Sequence, residues 1–395
     1  MRLADTRVAV TLALAGAAGY LAFGWGAETV YDYYGRLAEA FTQGRWWLTD
    51  DPPWLNELIS CGTGKWCVVH PPLPAVLTIP FLPLGTALAQ GVMSRIAGGA
   101  SAGFLYLGLR AYGAPRWVAV AGALVSVFGT TLLFSSVDGR SWYAAHSVAV
   151  LFGSAAFWVA ARGGPSWAIG AMIGLAALAR LPVAAATPAL ALLAARRTGS
   201  PYARVLAGVV LGGVPFALVY LGYNVVRWGS VFDLGYVTLT EGDVFFAHGL
   251  FSPLYIPRHL YAIFLEPPDL VEGTPWFLRP RFIGMSLFVT TPVFLWVFAG
   301  LREARRSAVV AATAIAAALA LLPDVTHGTI GFQQFGYRFS MDAQPFLVAL
   351  AVTGDAVAGG VWRRRPSVLF LLAAVFAVAI NAYAAIAIVR FGYWQ

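Results

Sequence analysis

Apolar stretches long enough, or nearly so, to cross a bilayer follow one another through this 395-residue chain. They fall at about 8–25, 97–112, 117–136, 147–161, 166–180, 183–195, 205–226, 283–300, 307–322, 344–360 and 367–389. A perpendicular helix needs ~20 such residues, so several runs have soft ends. One more candidate, LPAVLTIPFLPLGTALAQGVM at 73–93, carries three of the five prolines 71, 72, 74, 80 and 83. Only 11% of the residues are charged, against roughly 25% in a soluble domain. The pattern predicts one all-α, polytopic membrane domain over 1–395. The first run is too long for the apolar core of a secretory signal, and further spans follow it.

The basic residues set the parity. In a membrane protein they report orientation, so the net charge of +8 is no sign of a nucleic-acid partner. Arg2 and Arg7 before the first run favour a cytoplasmic N-terminus. The groups Arg110/Arg116, Arg162, Arg196/Arg197/Arg204, Arg302/Arg305/Arg306 and Arg363/Arg364/Arg365 join them inside only if 73–93 begins and ends on the outer face. That segment is therefore expected to be interfacial or re-entrant, which leaves about 11 spans and an extracytoplasmic C-terminus. Fourteen arginines then lie inside against Asp5, Glu303 and Asp355. The outer surface is built from 26–96, 227–282 and 323–343, which hold nearly every acid, so any chemistry faces outward.

Within the first outer segment, residues 30–43 have helical spacing. Tyr33, Leu37, Ala40 and Phe41 form an apolar stripe and Asp32, Arg36 and Glu39 a polar one, as in a helix lying on a membrane surface. Solvated surface charges are the plain reading; yet Glu28 and Asp32 also stand where a base for a lipid-borne substrate would be needed. CGTGKWC reads as a tight hairpin turning at Gly62 and Gly64. On an extracytoplasmic loop Cys61 and Cys67 can pair, whereas a zinc site would need more ligands. His70 ends the segment, and Glu57 precedes it in a short Trp-Leu-Asn-Glu element.

Trp142 and His146 follow Asp138 and Arg140 in the turn between the third and fourth runs. Arg180 interrupts an apolar run, which marks a functional site or an internal ion pair. Arg227, Arg258 and His259 belong to the second outer segment, and Arg338 and Asp342 to the third. Arginine forks suit phosphate oxygens.

The order of these pieces resembles the GT-C superfamily of integral-membrane glycosyltransferases, notably the group of aminoarabinose and protein O-mannosyl transferases. The resemblance rests on an acid near the end of the first span and on the surface helix Tyr34–Arg45, of the form Tyr-x-x-Leu-Ala-x-x-Phe-x-x-Gly-Arg. It continues with His70-Pro-Pro-Leu73, the large segment after span seven, and Phe335-Gly-Tyr-Arg-Phe339 followed by Pro345. It implies transfer of a sugar from a polyprenyl-phosphate carrier to a glycan, lipid or protein acceptor at the outer face of the plasma membrane, with inversion. Asp32 or Glu28 would be the base, with His70 beside it. Arg338, with Arg180, Arg227 or Arg258, would hold the donor phosphate; Tyr34, Glu57, Trp142 and His146 are further substrate-binding candidates. The first-loop acid lacks the Asp-Glu or Asp-x-Asp pair of metal-dependent relatives, so a divalent metal is less favoured than in them, and no other cofactor is expected. The alternatives are a transporter or flippase of a lipid-linked or small polar substrate, and a non-catalytic subunit on the same scaffold. No repeated halves are visible, and transporters usually show them.

Overall fold

The computed structural model describes residues 3–270, 278–358 and 360–391. Arg2 and the C-terminal Gln395, on which part of the expected orientation rests, lie outside them. Helix α1 (Leu3–Phe23) leads to a short α2 (Tyr33–Thr42), a hairpin of β1 (Leu58–Gly62) and β2 (Lys65–Val68), and α3 (Leu73–Thr78). The hairpin forms where CGTGKWC places it, antiparallel, with Cys61 and Cys67 disulfide-bonded. In α2, Tyr33, Tyr34, Leu37, Ala38 and Ala40 are buried against the bundle.

Helix α3 runs on as a 3-10 turn over Ile79–Leu84 and stops at Gly85, whose φ of +89° ends the helix. Then α4 (Thr86–Tyr112) rises without a proline for 27 residues. This corrects two expected boundaries. The interfacial piece is 73–84 rather than 73–93, and the next helix starts at Thr86 rather than 97. The prolines are confined to the first piece, and the apolar pattern alone hid the join.

Helix α4 is the mast of the bundle, with α1 on one side and α7 (Ser141–Ala161) on the other. Gly16 and Gly99 meet backbone to backbone between α1 and α4, so a Cβ on either would overlap the other chain segment. Close approach of this kind is how helices pack where lipid removes the hydrophobic drive between them.

Between α4 and α7 lie α5 (Arg116–Phe128) and α6 (Leu132–Asp138), bent by 45° relative to each other. Next come α8 (Ser166–Ala177), a 3-10 turn over Leu181–Ala186, α9 (Thr187–Thr198) and the long α10 (Tyr202–Trp228). The second outer segment holds α11 (Leu234–Leu239) and α12 (Ile256–Phe264). The chain returns through α13 (Leu287–Thr290), the 3-10 turn Pro292–Trp296, α14 (Val297–Glu303), α15 (Ala308–Val325), α16 (Gln344–Ala356) and α17 (Val368–Phe391).

Among the described residues five helices (α1, α7, α10, α15 and the Val368–Ala387 part of α17) are long and apolar enough to cross a membrane, six if the bent α5–α6 pair is one span. The remaining apolar runs fall on α4 and on shorter or broken helices, so this count does not by itself reproduce the expected number of about 11 spans.

The arginine groups do gather at one end. Arg110 pairs with Asp5 at 3.0 Å, Arg197 donates to the carbonyls of Ala161 and Ala111, and Trp362 covers Gly113. Arg302, Arg305 and Arg306 share a hollow with Val357. Tyr31, Gln90, Gly139 and Tyr34 are tied together at the opposite end.

Gly99→Leu should overpack the α1–α4 seam and lower stability by about 1–3 kcal/mol. A thermal midpoint unchanged from wild type in the same detergent would show that the seam is not under this constraint.

Candidate active site

A cavity of about 830 Å³ opens at the end away from the arginine groups. Its long part runs between α8 and α10 and is apolar, lined by Ile173, Val210, Val214, Phe216, Ala217 and Leu221. Val210, Val214 and Leu221 are also 50%, 40% and 40% exposed, so the trench is open sideways where α10 faces lipid. Its head is polar and holds Tyr34, Glu57, His70, Arg180, Asp324 and Arg338, with Trp142 at the rim.

Arg180 sits where α8 ends and the Leu181–Ala186 turn begins. Its guanidinium donates to Asp342 (2.7 and 3.1 Å) and to Asp324 (3.1 Å). Asp342 also meets His146 Nδ1 at 2.9 Å. Burial pushes the Asp342 carboxyl up, but Arg180 and His146 together outweigh it, and the net displacement is downward. Asp342 is thus a fixed anion that neutralises Arg180.

Arg338 differs. It starts the 3-10 turn Arg338–Ala343, is only 7% exposed, and stacks by the rings of Trp142, Tyr143 and Phe339 at 5.9, 5.5 and 5.2 Å. Burial lowers its pKa, though an arginine so displaced remains charged at neutral pH. Among the described residues no carboxylate is within ion-pair distance of it, and its Nε has no partner.

Glu57 and His70 face each other across the head. His70 Nε2 is 3.0 Å from Glu57 Oε2, close enough for an ion pair, yet the two atoms do not align as a hydrogen bond. The Tyr34 ring lies 5.7 Å from His70, its hydroxyl is unpartnered, and burial pushes its pKa up.

Several sequence expectations are corrected here. Asp32 does not line the cavity. Its carboxylate accepts from Arg36 (2.8 Å) and Thr86 Oγ1 (2.6 Å), which fixes α2 to the start of α4. Glu28 is exposed and away from the lining. Arg227 is buried and spent on the Val68 carbonyl and Asn224, stacked over Tyr223 at 4.0 Å. Arg258 donates to the Phe245 carbonyl (3.0 Å) and lies over Tyr255. His146 stands behind the wall, supporting Asp342. Tyr34, Glu57, His70, Trp142, Arg180 and Arg338 are the expected residues that converge.

Sequence reading passed over Asp324, His327, Asp233 and Tyr236, which also line the cavity. Asp324 carried a usable signal, since it ends an apolar run as Arg180 does. His327 and Asp233 sit in loops without periodicity, and Tyr236 lies on the short α11. His327 and His259 are both depressed to about 4 by burial. His259 Nε2 contacts the His327 carbonyl (2.9 Å), which can only accept, so Nδ1 accepts from the Tyr337 hydroxyl (2.8 Å) and the ring is neutral. Among the described residues no three His, Cys, Asp or Glu side chains are grouped to hold a metal ion.

No family model and no curated protein sequence matches the chain. Solved structures do. ArnT from Cupriavidus metallidurans in the apo state matches at 18% identity and TM-score 0.52, over 88% of this chain and 60% of that one. The same protein bound to undecaprenyl phosphate matches at 15% identity and TM-score 0.51, over 89% and 60%. The apo oligosaccharyltransferase of Archaeoglobus fulgidus gives 15% identity and TM-score 0.48, over 95% and 56%. The chain shares the fold of ArnT. It spans about 60% of the length of ArnT.

The two histidines set a pH dependence. Their folded pKa values lie below the unfolded value of ~6.5, so between about pH 6.5 and 4 the unfolded chain binds more protons. Stability is full above that window and is lost as pH falls through it. His259→Gln should flatten the fall in thermal midpoint from pH 7 to 4.5; an unchanged slope would show that His259 does not titrate this way.

Proposed function

We propose that the cavity seats a polyprenyl-phosphate sugar and that the protein moves this sugar to an acceptor hydroxyl at the polar head. Arg338 carries the reading. A buried cation without a counter-ion costs several kcal/mol, and a ligand phosphate would supply the missing charge. The open apolar trench beneath it suits an isoprenoid chain. The ArnT structure bound to undecaprenyl phosphate supports this choice of occupant through the shared fold. Arg180 is already balanced by two carboxylates, so its part is to hold the wall that presents Arg338.

In the step, the acceptor oxygen attacks the anomeric carbon from the side opposite the phosphate. The bond from that carbon to the phosphate oxygen breaks, the electron pair leaves on the phosphate, and configuration inverts. Arg338 meets the growing negative charge. The acceptor proton passes to Glu57, with His70 holding that carboxylate in place. The charge to be met is that of one phosphate, and the step is drawn without a divalent metal. The bias of basic residues places this head outside the plasma membrane, with the N-terminus in the cytoplasm and the C-terminus outside. A glycan, lipid or protein could supply the hydroxyl.

In lipid nanodiscs, Arg338→Ala should weaken undecaprenyl phosphate binding at least about tenfold. With a panel of polyprenyl-monophosphate sugars, Glu57→Gln should cut turnover by roughly 10²–10⁴ while donor binding persists. Wild-type turnover by Glu57→Gln would remove the base. Movement of intact donor across vesicles without release of polyprenyl phosphate would favour a transporter. Asp32→Asn, by contrast, should lower the thermal midpoint and spare turnover per folded molecule.

A further inference from the structure

At the end of the bundle opposite the cavity, a second hollow of about 500 Å³ lies between α14 and the end of α16. Its walls carry Arg302, Arg305 and Arg306 with a single acid, Glu303. Its floor is Ala299 and Gly354, where α14 and α16 approach so closely that a Cβ on Gly354 would overlap the Trp296 backbone. Glu303 is taken by Arg306 at 3.0 Å. Among the described residues neither Arg302 nor Arg305 has a carboxylate within ion-pair distance.

Solvated surface arginines need no ligand, and the hollow alone would be explained that way. A second feature points to an occupant. Leu295, Phe298 and Leu301 are 49%, 49% and 42% exposed. Their spacing of three places them along one side of the turn Pro292–Trp296 and α14, and Arg302 in the last turn and Arg305 just past the helix end continue that side. The ledge is therefore apolar along the membrane and doubly cationic where the membrane stops. Guanidinium forks match phosphate oxygens in pairs, and basic pockets between membrane helices suit anionic headgroups.

We propose that this ledge binds an anionic phospholipid of the leaflet opposite the cavity, its phosphate between Arg302 and Arg305 and an acyl chain along Leu301, Phe298 and Leu295. The headgroup would sit where two helices meet, because the arginines belong to α14 and the residues just after it while Gly354 of α16 forms part of the floor. The site is independent of the proposed transfer reaction and shares no residue with its cavity.

The test uses the full-length protein in neutral detergent, with thermal midpoints measured against added dioleoylphosphatidylglycerol, dioleoylphosphatidylcholine or inorganic phosphate. Phosphatidylglycerol is expected to raise the midpoint, and Arg302→Gln with Arg305→Gln to weaken its apparent affinity about tenfold. Arg363→Gln with Arg364→Gln, whose arginines lie outside the hollow, should leave it near wild type. An equal shift with phosphatidylcholine, an equal shift with inorganic phosphate, or full retention in the Arg302/Arg305 double variant would each overturn the proposal. Should that double variant fail to fold, a 31P signal of phosphatidylglycerol unaffected by wild-type protein would overturn it as well.

Discussion

The site depends on how Arg180 is neutralised. The guanidinium reaches carboxylates from α15 and from the turn before α16, and His146 on α7 braces the second of these. Three stretches far apart in the chain are thereby closed around one charge. Removing a single partner from such a buried group leaves an uncompensated ion, at a cost on the order of 3–5 kcal/mol. Because the two acids are committed to Arg180, Arg338 is left facing the cavity with its charge unmet. Arg180 and Arg338 are thus separated by which one has an acid in reach, a distinction invisible to residue type.

The broken helices follow from a second constraint. In a bilayer each backbone polar group must be satisfied inside the protein, so a helix can be interrupted only where something else takes the freed groups. Here buried polar side chains do so. Gln90 accepts from the N–H groups of Tyr34 and Gly35 and donates to the carbonyls of Tyr31 and Gly139. Arg95 donates to the Ala27 and Val137 carbonyls. Gln344 reaches the Ser126 carbonyl near the end of α5, and Asn381 that of Thr290 at the end of α13. Each of these four polar residues lies in an otherwise apolar run and marks a join elsewhere.

This explains what the sequence did and did not disclose. The order of apolar runs, the sidedness of the arginine groups, the Cys61–Cys67 hairpin and the buried stripe of α2 are local or periodic, and could be read directly. The number of uninterrupted spans could not, since hydropathy gives the same value to a straight helix and to one interrupted at Gly129–Thr131 or Pro292. The partners of Arg227 and Arg258 were equally hidden. Both arginines are bound by backbone carbonyls, and no sequence pattern announces a carbonyl that is free to accept. Asp324 was legible in principle, by the rule that singled out Arg180.

Asp32 and Glu57 show why position along the chain is a poor guide to chemistry. On the proposed reading a base must hold an oxygen free for the incoming proton and must face the bound sugar. Asp32 meets neither condition. One oxygen is committed to Arg36 and the other to Thr86, and Asp32 is not part of the cavity lining. Glu57 lines the cavity, keeps an oxygen without an aligned hydrogen bond, and has His70 Nε2 3.0 Å away. The hairpin that follows Glu57 is stapled by the disulfide, so the carboxylate is presented by a short, braced element rather than by the surface helix. Helix α2 packs against this element, the Tyr33 hydroxyl accepting from the Glu57 N–H at 3.0 Å, and contributes Tyr34 to the same cavity.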